Sequence, residues 1–243
     1  MIESVNNERI KELIKLKDKK YIKEKKKFLI EGKHLIEEAD KHGYLEEVYV
    51  LKGTTTKYPE AIFVSENVMK KITNLDTNTN MVGVSRVIDE GEIKGNVLLL
   101  DDISDPGNMG TIIRSMIAFN IDTLVISKSS VYLYNPKVIR ATEGMIYNLN
   151  IIIDDLDNVL NKLKELDYKI YGTDVREGTN LKDIKFGDKN AIIIGSEARG
   201  MSESLKPFVD QNIHIEMNSL CESLNAGVSA SIILYELSKN ESI

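Results

Sequence analysis

The sequence has very little cysteine and no long apolar run. Its 243 residues include one cysteine, Cys221, so no disulfide can form within the chain, and we expect a reducing, cytoplasmic compartment. A membrane-spanning helix needs about 18 consecutive apolar residues, and no apolar stretch of the sequence approaches that length. No charged-then-apolar leader is present, so we expect neither a membrane span nor a signal peptide.

Several binding signatures are also absent. No G-x-G-x-x-G follows a predicted strand and there is no Walker-type phosphate loop, which argues against a dinucleotide or P-loop site. The three histidines, His34, His42 and His214, lack metal-ligand spacing, so we expect no metal. With 42% apolar residues and mixed charge, the chain is predicted to be globular, with one large or two small domains.

The charge distribution is uneven. The net charge of −6 argues against a general nucleic-acid coat protein. Between Arg9 and Lys27, however, ten basic residues face three acidic ones. This excess predicts a phosphate-binding surface for RNA, although a solvated helix face would have the same pattern. The candidate RNA contacts are Lys19, Lys20, Lys25, Lys26 and Lys27.

The periodicity predicts an α/β protein. The first half has the order α-β-α-β-β-α-β of a small α/β sandwich, with strands predicted at 28–32, 47–51, 61–64 and 81–85. The second half alternates strands and helices, which predicts a mostly parallel sheet with helices on both faces. A charged, glycine-containing linker at Asp89–Gly95 predicts domains at 1–92 and 93–243.

The second half begins with a strand, a polar turn and a helix. Val97–Leu100 has the length and branching of a buried strand, residues 101–107 read as a turn, and the helical spacing begins near Thr111. Such a unit presents a site at the carboxyl end of a sheet, but it could also be a structural loop. Arg114 would lie in the first turns of this helix, where the helix dipole disfavours a cation, so we expect it to have another role.

Three motifs in this half carry a resemblance. They are Asn108-x-Gly110-x-x-x-Arg114, the run IGSEARGM at 194–201 and the run ESLNAGVSA at 222–230. Together they resemble the SpoU/TrmH family of RNA ribose 2′-O-methyltransferases, within the SPOUT class. The resemblance implies a trefoil-knotted catalytic domain, a preceding ribosomal-protein-like RNA-binding domain, and a homodimer. For the dimer, we expect the small residues Gly227, Ala230 and Ser231 to meet a partner helix.

The resemblance also implies a cofactor, S-adenosylmethionine, in a crevice formed by the motif loops. Glycines let main-chain groups approach a purine closely. The implied cofactor-binding residues are Thr173, Gly195, Ile215, Met217 and Leu224. The family often has proline where this chain has Glu216, which either alters the rim of the pocket or points outward.

The implied catalytic residues are Arg114, Asn108, Glu197, Ser223 and Asn225. Arginine is a poor general base because its pKa exceeds about 12. We therefore expect Arg114 to bind a phosphate and the nascent alkoxide, with Asn108 and Glu197 orienting it or the ribose. Ser223 and Asn225 either hold cofactor or substrate or simply cap the last helix.

The resemblance implies 23S ribosomal RNA rather than transfer RNA as the substrate, because many small tRNA members of the family lack such a front domain. A tRNA methyltransferase and a non-catalytic RNA-binding protein of the same fold stay open. A base-methylating enzyme of the same class should differ at Arg114, and a nucleophilic role for Cys221 lacks a nearby histidine base in the sequence.

Overall fold

The computed structural model describes residues 1–74, 79–175 and 177–239. Contacts divide the chain into two compact units. Unit 1 comprises Met1–Ile88 and Tyr132–Tyr147, and unit 2 comprises Asp89–Val131 and Asn148–Ile243. Each unit is therefore assembled from two separate stretches of chain.

The helices and strands follow one another along the chain as two groups. Up to residue 86 they are α1 Glu8–Lys15, α2 Lys19–Lys25, β1 Lys27–Glu31, α3 Lys33–Lys41, β2 Leu45–Leu51, β3 Ile62–Val64, α4 Glu66–Ile72 and β4 Met81–Arg86. Beyond it they are β5 Val97–Leu100, α5 Pro106–Ala118, β6 Thr123–Ser127, α6 Pro136–Ala141, β7 Asn150–Asp154, α7 Leu156–Glu165, β8 Lys169–Thr173, β9 Thr179–Asn180, β10 Asn190–Ile194, β11 Gln211–His214 and α8 Ala226–Ser238. Short 3-10 helices lie at Met145–Asn148, Leu181–Asp183 and Glu203–Phe208.

Unit 1 has a four-stranded sheet in the order β1-β4-β2-β3, in which only the β2–β3 pair is parallel among the described strands. Its strands alternate side chains between two faces. On one face, Tyr49 and Val82 pack with Ile10 and Leu13 of α1 and Val68 of α4. These residues are almost entirely buried, and this burial supplies the main stabilisation of the unit.

The other face of this sheet receives α3 and the stretch at 132–147. Gly83 of β4 leaves room for α3, because a Cβ there would lie 2.9 Å from Ile30 and 3.0 Å from Ile36. Phe28 packs against Tyr134 with ring centroids 4.7 Å apart. The hydroxyl of Tyr134 accepts a hydrogen bond from the backbone N–H of Ile88. Residues 132–147 are therefore part of the core of unit 1.

Unit 2 has a seven-stranded sheet in the order β7-β6-β5-β10-β8-β11-β9, and every described pair in it is parallel. Leu99, Ile193 and Ile170 of three neighbouring strands pack against Leu160 and Leu163 of α7. The prediction of an α/β fold with a mostly parallel sheet is confirmed. Because the strands are parallel, their carboxyl ends meet at one edge, where α/β proteins place ligand sites.

The expected linker is part of unit 2. The backbone N–H of Gly91 donates to Asn150, whose amide donates to the carbonyl of Glu92. The two units seen in the contacts therefore differ from the predicted domains 1–92 and 93–243. Residues 132–147 belong to unit 1, and residues 89–92 belong to unit 2. The functional division at 92/93 and the trefoil knot stay predictions.

Two helices differ from the sequence-based expectation. The lysine-rich run forms a helix of its own, α2, capped by Asp18. Helix α5 begins at Pro106 rather than near Thr111, because the Asp105 carboxylate caps it and proline suits the first turn. Arg114 is therefore the ninth of its 13 residues and lies beyond the first turn, so the expectation that the helix dipole disfavours it is wrong.

Within the described ranges, none of the helices has both the length and the apolar character needed to span a bilayer.

Candidate active site

Unit 2 contains a cavity of about 420 Å³ at the carboxyl end of its sheet. The walls are formed by the segments that follow β8, β10 and β11 and by the segment that leads into α8. Apolar and polar side chains both contribute, among them Thr173, Asp174, Gly195, Ser196, Glu197, Arg199, Met201, Ile215, Met217, Ser223 and Leu224. We call this the motif cavity.

The loop after β10 is folded tightly on itself. The backbone N–H of Ser196 donates to the carbonyl of Gly200 and the N–H of Gly200 donates back to Ser196, at 3.0 and 2.9 Å. A Cβ at Gly195 would lie 2.2 Å from the backbone of Gly200 and Met201. Gly195 is thus required by the close approach of the loop's own backbone, in addition to lining the cavity.

Two consecutive aspartates after β5 hold this loop. Asp101 is only 6% exposed, and its carboxylate accepts a hydrogen bond from the backbone N–H of Ser202 at 2.7 Å. Asp102 pairs with Arg199 at 2.7 Å and has a left-handed backbone, with φ of 58°. The Arg199 side chain is 79% exposed, so water screens that pair and it stabilises the loop little. The buried Asp101 contact is the stronger one.

A polar pair connects α5 to the same loop. The amide nitrogen of Asn108 donates to the Glu197 carboxylate at 2.6 Å. Asn108 is 6% exposed, and the Asp105 cap holds its backbone N–H at 2.8 Å. Because the backbone and the side chain of the buried Asn108 are both held by hydrogen bonds, its amide gives the Glu197 carboxylate a defined orientation at the cavity wall.

The start of α8 completes this wall. The Asn225 side chain accepts a hydrogen bond from the backbone N–H of Val228 at 3.2 Å, which is an N-cap. A Cβ at Gly227 would lie 3.2 Å from the Asn225 amide oxygen and 3.3 Å from that of Asn108. The two asparagines therefore approach the same point, where α5 and α8 meet.

The chain matches known families in both halves. The SpoU rRNA Methylase family model matches residues 95–235, and the MRM3-like substrate binding domain model matches residues 7–83. The 23S rRNA (guanosine(2553)-2'-O)-methyltransferase RlmP of Bacillus subtilis (strain 168) is 31% identical over 97% of this chain and 98% of its own length. The chain belongs to the SpoU rRNA methylase family.

Solved structures agree with this assignment at the level of the fold. An RNA 2'-O ribose methyltransferase is 28% identical, with a TM-score of 0.83 over 99% of this chain and 98% of its own. The SpoU methyltransferase AviRb from Streptomyces viridochromogenes, solved in complex with AdoMet, is 22% identical, with a TM-score of 0.87 over 97% of this chain and 98% of its own. The fold of this SpoU family member is thus matched over both of its units.

The motif cavity brings together most of the residues predicted from the motifs. All five predicted cofactor residues line it, namely Thr173, Gly195, Ile215, Met217 and Leu224. Glu197 and Ser223 also line it. Asn108 reaches it through Glu197, and Asn225 caps the adjoining helix. Their roles in binding and catalysis stay predictions.

Arg114 stands apart from this cluster. It is exposed on α5 and does not line the motif cavity. Among the described residues, its side chain has no hydrogen-bond or ion-pair partner. In a single chain, Arg114 therefore does not line the cavity at which the family motif predicts it to act.

Glu216 points away from the cavity. Its carboxylate accepts hydrogen bonds from Lys182 at 2.5 Å and from Asn180 at 3.1 Å. The hydrogen bond from Lys182 is the main cause that lowers the pKa of Glu216, which keeps the carboxylate charged. Of the two possibilities left open by the sequence, the outward orientation is the observed one.

The expectation that the small residues of α8 contact a partner helix is wrong. Gly227 and Ala230 are buried, and a Cβ on Gly227 would lie 3.2 Å from Thr111 of α5 in the same chain. The hydroxyl groups of Ser231 and of Ser115 in α5 share a hydrogen bond of 2.7 Å. Periodicity identifies a close-packing face but not the helix that it meets. The large apolar side chains that α8 exposes are instead Val228 and Tyr235.

Asp101 and Asp102 have no role in the sequence-based predictions, although both hold the loop after β10. They fall in the turn predicted at 101–107, and acidic residues directly after a buried strand are a usable signal for a site at the edge of a sheet. In the described part of the chain, no group of three or more histidine, cysteine, aspartate or glutamate side chains could hold a metal ion.

Proposed function

We propose that this chain transfers a methyl group from S-adenosylmethionine to a ribose 2′-hydroxyl of 23S ribosomal RNA. The observation that carries the proposal is the motif cavity, which gathers the five predicted cofactor residues with the Asn108–Glu197 pair. Family membership supports the reaction class, and the Bacillus subtilis relative's name supports the RNA. The proposal includes a cytoplasmic homodimer.

The residues of the motif cavity suit this cofactor. Ile215, Met217 and Leu224 give apolar surface for a purine, while the loop after Gly195 presents main-chain groups. The cavity volume of about 420 Å³ is in the usual range for small-molecule sites, which is roughly 300–1,000 Å³. Bound there, S-adenosylmethionine would supply an electrophilic methyl group. Asp101 would contribute by holding the loop in place.

The catalytic roles follow from charge and orientation. The guanidinium of Arg114 is a planar cation, so it serves as an electrostatic partner for a phosphate and for the 2′-oxygen as negative charge develops on it. Asn108 and Glu197 orient the ribose or the arginine through their 2.6 Å hydrogen bond. Such fixed groups would also hold the reacting oxygen in line with the methyl group, which lowers the entropic part of the barrier.

A second copy of the chain would give Arg114 a site. Arg114 is exposed on α5, and α8, which packs on α5, exposes Val228 and Tyr235, at 45% and 51%. An isologous contact through this layer would place the arginine of one protomer at the partner's cavity. The exposed arginine and the exposed apolar side chains support this arrangement.

Methylation of 23S rRNA transcripts tests the proposal. The purified protein, labelled S-adenosylmethionine and a transcript should yield one 2′-O-methylated nucleotide on mapping. Guanosine 2553, named in the relative, is the first position to examine. Cofactor binding without methylation of ribosomal or transfer RNA would favour the non-catalytic alternative, whereas methylation of tRNA alone would move the substrate to the other open class.

A further inference from the structure

Unit 1 contains a cavity that the motifs do not account for. Its volume is about 560 Å³, and three separate stretches of chain line it. These contribute Ile14 and Lys17, then Lys70, Lys71, Thr73 and Asn74, and finally Asn135, Pro136, Lys137 and Arg140. We call this the basic cavity. Five of its ten lining residues are lysine or arginine, and none of the ten carries a carboxylate.

One of these cations is fixed in place. The Lys17 ammonium donates to the backbone carbonyls of Lys71 and Thr73, at 3.0 and 2.6 Å. An ammonium has three N–H donors, so these bonds leave one for a ligand. Partial desolvation is the main cause that lowers the pKa of Lys17, and the like charge of Lys71 adds to it against the opposing effect of Glu31. An anion in the cavity would relieve this unfavourable environment.

Nearby acids neutralise only part of the charge. Glu31 is 8% exposed, and its carboxylate accepts the backbone N–H of Asn74 at 3.0 Å and lies 3.9 Å from Arg140. Lys70 pairs with Glu66 at 2.5 Å. The side chains of Lys71 and Lys137 have no such partner among the described residues. The cavity is therefore net positive on a chain whose total charge is −6.

We infer that the basic cavity binds the phosphodiester backbone of RNA, with Lys71 and Lys137 as direct phosphate contacts and Lys17 as a cation held in the lining by its two backbone hydrogen bonds. The inference rests on the proposed function for the identity of the polyanion. Five cations spread around an open cavity exceed what one phosphate monoester needs, but they match successive phosphates of a strand. The concave shape suits a strand better than a flat lipid surface.

The contact is tested by salt-dependent binding. RNA affinity is measured between 50 and 300 mM salt with a 23S rRNA transcript, for the wild type and for Lys71→Gln/Lys137→Gln. Each lost phosphate contact should lower the salt slope by roughly 0.7–0.9, so the double variant should lose about 1.5 and bind roughly 10- to 20-fold more weakly at 150 mM salt. The matched control is Lys33→Gln/Lys52→Gln, which makes the same charge change in unit 1 at residues that do not line the cavity.

The outcomes separate this inference from the proposed function. A variant slope equal to that of the wild type, or a control slope lowered as much, overturns the basic cavity as an RNA site. So does a loss of binding to anionic lipid vesicles with RNA binding unchanged. Failure of the wild type to bind S-adenosylmethionine or to methylate RNA counts against the proposed function instead. Circular dichroism and unchanged cofactor affinity confirm that each variant is folded.

Discussion

The two cavities of this protein are built in opposite ways. The motif cavity of unit 2, about 420 Å³, combines main-chain groups and apolar side chains with charged side chains of both signs, and the hydrogen bonds of Asn108 to Glu197 and of Ser202 to Asp101 hold its walls. The basic cavity of unit 1, about 560 Å³, is formed largely by long cationic side chains. A small ligand of fixed shape needs the first kind of site, whereas a flexible polyanion is held by the second.

The largest expected effect comes from breaking the close backbone approach in the motif cavity. Gly195→Ala should reduce S-adenosylmethionine binding by about 100-fold or more, because its Cβ would lie 2.2 Å from the Gly200–Met201 backbone and displace the loop. Calorimetry measures the affinity. Gly187→Ala is the matched control, since a Cβ there has nothing within 4 Å. Unchanged affinity of the Gly195 variant would show that the cofactor binds elsewhere.

Removing the charge on α5 should affect catalysis without affecting the cofactor. We expect Arg114→Ala to lower methyl transfer by about 10²-fold or more, the range for loss of a positioned electrostatic group, with cofactor affinity within about a factor of ten. Single-turnover rates and calorimetry provide the two readouts.

Mixed dimers then locate the arginine. If Arg114 acts at the partner's cavity, heterodimers of Arg114→Ala and Gly195→Ala chains should regain one working site although each parent is inactive. No recovery in verified heterodimers would place the arginine at its own chain's cavity. A monomer in sedimentation at assay concentration would remove the dimer.

The pair that connects α5 to the loop should behave as one unit. Asn108→Ala and Glu197→Ala should each lower the methyl-transfer rate by roughly 10- to 100-fold, the range for a hydrogen bond to a charged group. A double-mutant cycle on the rate measures their coupling. The double variant should be little worse than either single one, and simply additive losses would mean that the two side chains act separately.

High pH should separate the two units. Burial raises the pKa of Tyr132 to about 12 and raises the pKa of Tyr134 and Tyr147 further, and all three lie in unit 1. In the unfolded chain they ionise near 10, so the folded state binds more protons above that pH and loses stability. The loss is about 1.4 kcal/mol per pH unit for each buried tyrosine such as Tyr134.

Circular dichroism and phenolate absorbance between pH 9 and 12 should therefore detect unfolding of unit 1 before unit 2. Tyr132→Phe should move this transition to higher pH, since it removes one ionisable hydroxyl. A single transition of both units that ignores this substitution would contradict the prediction.

The smallest effect is expected from the lysines that the sequence first indicated. Lys25 and Lys27 form ion pairs with Glu24 and Glu46, at 3.0 and 2.5 Å. Changing Lys25, Lys26 and Lys27 together to glutamine should therefore lower the salt slope of RNA binding by less than the basic-cavity pair does, because a paired lysine must first leave its carboxylate. A larger effect of the triple variant would reverse the ranking of the two surfaces.

Local patterns predicted most of the fold. Apolar runs located the central strands of both sheets to within one or two residues, since a buried strand needs such a run. Helix α2 was missed because its sequence is mostly lysine and only Ile22 is buried. The start of α5 was missed because Pro106 and Gly107 are typical of turns, and the capping by Asp105 outweighs that preference.

Long-range contacts limited the prediction of the sites. Much of the motif cavity was predictable because the runs at 194–201 and 222–230 are family motifs, and because Thr173, Ile215 and Met217 lie at or just after the ends of predicted strands. The basic cavity was not, since Lys17, Lys71 and Lys137 are far apart in the sequence and only folding brings them together. The same holds for α8, whose small residues meet α5 of the same chain.

The two-part make-up of unit 1 bears on synthesis at the ribosome. A nascent chain that has been translated only as far as residue 88 lacks Tyr134, whose ring packs on Phe28. The core of unit 1 is therefore incomplete at that stage. A further 59 residues must be translated before Tyr147 exists, which takes about 3–12 s at the usual 5–20 residues per second. During that interval the nascent chain would expose an unfinished apolar face, and chaperone binding should concentrate there.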